Sequence, residues 1–125
     1  MNLKILSVNG KGDYLQEYVL LEALADCDVG RYMLADSTYM NDGKVSNKVR
    51  HTFWIPDRQV RAGDLVSVWT KPGDHIVTTN AHGRTVHRFF WGLREAVWND
   101  AGDCAVLFEL SAWAITPVPA TAGAH

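Results

Sequence analysis

RFFWGLREAVWNDAGDCAVLFEL, residues 88–110, is the stretch whose reading decides the fold of this chain. Two runs rich in aromatic and branched residues flank Asn99-Asp100-Ala101-Gly102-Asp103, a set of residues that tolerate tight or left-handed backbone. Such runs on either side of such a turn read as two strands joined in a hairpin. In the second run, a period of two separates Ala105 and Leu107 from Cys104, Val106 and Phe108. Trp91 and Trp98, with Trp69 upstream, are expected between sheets, where each would bury a large apolar area; the competing reading is an aromatic ligand platform. Trp54 and Trp113 are not placed by their neighbours, and either could be exposed.

The same signals continue outward in both directions. Leu3 to Val8 alternates, and a glycine-rich turn follows at 9–13; Gln16 to Leu24 is a second strand and Arg31 to Ala35 a short third. The polar stretch Asp36 to Lys48 reads as a long connection with a turn at Asn41-Asp42-Gly43. Val49 to Ile55 is strand-like until Pro56, which cannot donate to a ladder. Ala62-Gly63-Asp64 introduces Leu65 to Trp69, Ile76 to Thr79 is another short strand, and Ala112 to Thr116 completes the series. Strands recurring about every ten residues predict an all-β sandwich of about seven to nine strands. No repeat or second domain is evident; residues 1–116 read as the folded unit and 117–125, PVPATAGAH, as a disordered tail.

A chain of 125 residues can bury one core without disulfides. No apolar run reaches the roughly 18 residues of a membrane span, and the N-terminus lacks the length and cleavage site of a signal peptide. Two cysteines, Cys27 and Cys104, imply no disulfide framework, so a cytoplasmic protein with packed thiols is expected. The net charge of −2 hides a segregation. Residues 44–94 hold nine Lys/Arg against three acidic residues, and the rest holds three against eleven. Such asymmetry can mark an anion-binding or self-complementary surface, but strands interleaving in a sandwich would mix it.

Several pieces together resemble the lamin-tail domain family. Glu17-Tyr18-Val19 with Leu21, the Val29–Asp36 step (VGRYMLAD), and the corner Phe53-Trp54-Ile55-Pro56 followed by Val60–Asp64 are similar to successive segments of that family. So are Val66, Val68 and Trp69, and the run from Trp91 through Trp98–Asp103 to Leu107. The match spans about residues 3–112. It implies an immunoglobulin-like β-sandwich that serves as a noncatalytic binding or assembly module. It also implies that Ala105 and Leu107 face inward.

Departures from that pattern mark candidate interface residues. Leu20 stands where the family has an acidic outward residue, and Cys104, Val106 and Phe108 occupy a face that is usually polar. Apolar residues on both faces of a strand require a second cover, supplied by the chain itself or by a protein partner such as a second copy. The alternative reading is a nucleic-acid-binding module using Lys48, Arg50, Trp54, Arg58, Arg61 and Arg88, with cations for phosphates and an aromatic for stacking. A pI near 6.2 and the usefulness of charges on edge strands weigh against it. No cofactor or metal is expected: His75, His82 and His87 do not have zinc-motif spacing, and Asn99, Asp100 and Asp103 offer too few ligands for calcium. No nucleophile motif such as G-x-S-x-G occurs, so no catalytic residue is assigned.

Overall fold

Alternation at period two builds the two faces of each sheet. In Tyr18–Ala23 (β2), Val19, Leu21 and Ala23 are buried, while Tyr18, Leu20 and Glu22 are half-exposed on the other side. The computed structural model describes residues 1–38, 48–99 and 102–120. Among them the chain is all-β.

The remaining strands are Leu3–Asn9 (β1), Cys27–Asp28 (β3), Tyr32–Thr38 (β4), Thr52–Trp54 (β5), Gln59–Val60 (β6), Leu65–Trp69 (β7), Ile76–Thr79 (β8), Thr85–Phe90 (β9) and Asp103–Glu109 (β10). A five-stranded sheet has the order β1-β2-β7-β9-β8, a three-stranded sheet the order β10-β4-β5, and β3 pairs with β6. These ten strands exceed the expected seven to nine, because β3 and β6 are two-residue ladders. The β7–β9 pair is parallel.

The core lies between the two larger sheets. Leu3, Val19, Leu21, Val66, Val68 and Phe89 come from the five-stranded sheet, Tyr32 and Leu34 from β4, with Ala105 and Leu107 of β10 packed against them. Both inward assignments on β10 therefore hold.

The opening stretch folds differently from a hairpin. β9 pairs with β7 and β8 in one sheet, whereas β10 pairs with β4 in the other. Residues 91–99 cross between the sheets without forming a strand. Gly102 keeps the positive φ of +92° that its turn position suggested, and Asp100 and Ala101 lie outside the described residues. The same residue types serve a sheet switch as readily as a hairpin.

The crossing is held by Glu17, which is fully buried. Its Oε1 accepts hydrogen bonds from Val97 N at 2.7 Å and Thr70 Oγ1 at 2.7 Å. Its Oε2 accepts from Gly12 N at 3.2 Å and Trp98 N at 3.3 Å.

Four further expectations change. Ala112–Thr116 forms no strand, the strand over 49–55 contracts to Thr52–Trp54, and β4 extends to Thr38 through residues read as a connection. The turn expected at 41–43 lies outside the described residues. Trp98 is in the core and Trp91 packs against it, but Trp69 is on the outer surface. Its register opposite Tyr18 puts it on the side away from Val66 and Val68.

Candidate protein-binding surface

The outer face of the three-stranded sheet carries the chain's most concentrated exposed aromatic surface among the described residues. Register fixes it: Phe108 is opposite Met33, and Met33 is opposite Trp54, so the three form one row across β10, β4 and β5. Adjacent strands lie about 4.8 Å apart, so the row extends roughly 10 Å. Phe108 and Trp54 are exposed and Met33 half-buried. The row continues into Trp113, whose ring meets Trp54 edge-to-face at a centroid distance of 4.9 Å. The Arg31 guanidinium sits 5.9 Å from the Trp113 centroid.

Trp54 is fixed from below. Its Nε1 donates to Gly30 O at 2.8 Å, and Gly30 packs so closely on Asp57 that a Cβ there would collide with it. This close approach, not a positive φ, is why position 30 is glycine.

The structure divides the outward set expected on β10. Phe108 is exposed at one end, Val106 is half-buried opposite the fully buried Ala35, and Cys104 is buried opposite Ser37. Ser37 Oγ donates to Lys48 O at 2.8 Å at that closed end. Leu20 is half-buried on the outer face of the other sheet, opposite Ser67, so it does not share this surface. The sequence reading puts neither Met33 nor Arg31 on a surface and leaves Trp113 open between buried and exposed. Phe53 beside Trp54 was the available signal, since adjacent aromatics on one strand must face opposite ways.

The basic residues are dispersed. Arg50 Nε lies 3.2 Å from Asp36 Oδ2 and its Nη2 lies 2.6 Å from Asp103 Oδ1. Arg58 lies over Phe89 at 5.4 Å, Arg61 is exposed in the turn before β7, and Lys48 is exposed before β5. Arg88 is on the outside of the five-stranded sheet, 4.9 Å from the Trp69 centroid and 5.6 Å from that of Phe90.

There Tyr18, Trp69 and Phe90 form a second aromatic row, with Lys71 Nζ 5.0 Å from the Trp69 centroid. Tyr18 and Trp69 stack at 4.3 Å and 24°, leaving no room for a base between them. Trp69 and Phe90 are 6.5 Å apart, and Arg88 lies over both. Gly73 packs directly on the Phe90 ring. Rings stacked on one another across neighbouring strands serve cross-strand stabilisation.

The histidines and cysteines do not converge on a common site. His87 Nε2 is 2.8 Å from Asp64 Oδ2, and its Nδ1 is buried without a hydrogen bond; His75 Nδ1 accepts from Phe90 N at 3.1 Å. No group of three or more metal-ligating side chains gathers among the described residues. Cys27 and Cys104 are both free thiols. Burial, then the carboxylates of Asp28, Asp26 and Glu109, push Cys27 above its ordinary pKa; burial also raises Cys104. Thiols so shifted are weak nucleophiles at neutral pH.

No helix among the described residues is long and apolar enough to cross a membrane. No family model matches the chain, and no curated protein matches it in sequence.

Proposed function

We propose that this chain is a noncatalytic protein-binding or assembly module of lamin-tail type that self-associates through the outer face of its three-stranded sheet. The row Phe108–Met33–Trp54, continued by Trp113, carries the reading. Exposed tryptophan and phenylalanine with an arginine at the margin is the composition of a protein contact. The resemblance of residues 3–112 to lamin-tail domains supports a binding role over catalysis.

Sedimentation velocity across a concentration series tests it. The wild type is expected to dimerise by high micromolar concentration. Phe108→Glu is expected to remain monomeric with an unchanged unfolding temperature, because Phe108 is exposed at 36%. A wild type that stays monomeric throughout would sink self-association and leave a different protein as the partner.

A further inference from the structure

Two features of the molecule are complementary and do not meet in the structure. The first is an apolar cleft where the sandwich is open. β1 and β10 are the terminal strands of their sheets on the same side of the molecule, and between them lies a cavity of about 310 Å³. It is lined by Met1, Leu3, Lys4, Ile5, Leu24 and Leu107. Leu24 is 52% exposed at its mouth, a branched aliphatic side chain left in water.

The second is the segment that follows β10. Residues 111–120 are exposed, form no strand, and contain no charged residue. Ile115 is 85% and Val118 91% exposed. Pro117 and Pro119 restrict the backbone to extended forms, which lowers the entropy lost on docking. At the three residues per turn of a polyproline helix, Ile115 and Val118 fall on the same side.

The segment does not occupy the cleft of its own molecule: none of residues 111–120 lines it, and Ile115 and Val118 are exposed. Trp113 is held against Trp54 on β5, and β5 is separated from β10 by β4. From that anchor, residues 114–120 reach about 20 Å in an extended form at ~3.1 Å per residue.

We infer that residues 114–120 of one copy dock in the β1–β10 cleft of a second copy, with Ile115 and Val118 as the inserted side chains. The inference rests on the self-association reading and supplies a second contact for it. Reciprocal exchange of the two segments closes the assembly at a dimer.

The experiment uses two variants, each checked for unchanged thermal unfolding. One ends at Trp113, keeping the Trp54–Trp113 contact and the cleft. The other is Leu24→Asp in the full chain, keeping the segment but charging the cleft. Each alone is expected to lose at least tenfold in dimer association constant by sedimentation. Mixed, they are expected to recover a one-to-one complex, because the truncated copy offers an intact cleft and the Leu24→Asp copy an intact segment.

A truncated chain that dimerises like the full chain overturns the inference and leaves the Phe108 contact standing. Dimerisation lost on truncation but unaffected by Leu24→Asp also overturns it, since the segment then docks elsewhere. A monomeric full-length chain overturns both readings.

Discussion

Glu17 Oε1 accepts a 2.7 Å hydrogen bond from Val97 N, joining residues eighty positions apart in the buried interior. The same carboxyl group takes Trp98 N and the Thr70 hydroxyl, so one side chain ties the start of β2 to the crossing between sheets and to the end of β7. Without it, several buried donors would have neither water nor protein to bond.

Glu17→Ala is therefore expected to lower stability by about 3 kcal/mol or more, since each orphaned buried donor costs roughly 1–3 kcal/mol. Glu17→Gln keeps an acceptor at Oε1 and is expected to cost less, about 1–2 kcal/mol. Urea unfolding of the two variants measures both. Equal and small losses would mean that water replaces the carboxyl group and that the crossing is not held as described.

Asp64 gives a pH dependence of known sign. Burial works to raise its pKa, but the hydrogen bond from His87, the Arg61 backbone N–H and the charges of both residues outweigh it, and the net shift is downward. A carboxylate lowered in the folded state adds stability that is complete above its ordinary pKa of about 3.9 and is lost as pH falls through the folded value. The difference in unfolding free energy between wild type and Asp64→Asn should accordingly shrink from pH 6 to pH 3. A difference that stays constant over that range would show that the ion pair contributes nothing to folding.

The second aromatic row separates protein binding from nucleic-acid binding. Trp69 is already stacked on Tyr18 and covered by Lys71 and Arg88, so a single-stranded oligonucleotide is expected to show no retention in gel shift at low salt. Retention that falls steeply with salt and disappears in Arg88→Ala would restore the nucleic-acid reading.

What sequence made legible was local. Leu65–Trp69 and Ile76–Thr79 agree with their expected bounds because turn residues bracket a short run of β-branched and aromatic residues on both sides. The split of Ala105 and Leu107 from Cys104, Val106 and Phe108 likewise follows from strand geometry alone. Long-range pairing was not legible. Nothing around Asn99–Asp103 distinguishes two strands that meet from two that part, because the turn chemistry is the same. Trp69 was assigned to the wrong side since alternation gives two faces without saying which is buried. Glu17 lies within the run Gln16 to Leu24 and nothing beside it in sequence marks it as buried; only the returning chain at Val97 and Trp98 makes it interior. On the candidate surface, Phe108 was accessible to sequence reasoning but Trp113 was not, because its neighbour Trp54 is fifty-nine positions away.

The parting of β9 and β10 bears on how the chain reaches this state. A hairpin would have zipped from its own turn within microseconds. Instead β10 must find β4, with Asp103 opposite Thr38, across a loop of more than sixty residues, and β9 must align in parallel with β7. Closing such loops precedes any reward from the contacts, which places the domain among slow-folding topologies, in the millisecond-to-second range. Until β10 is seated, β4 lacks its partner on that side, and Leu34 and Ala35 lack the neighbours Leu107 and Val106. The chain's greatest exposure to misassembly thus falls before β10 is seated, not after the sandwich has closed.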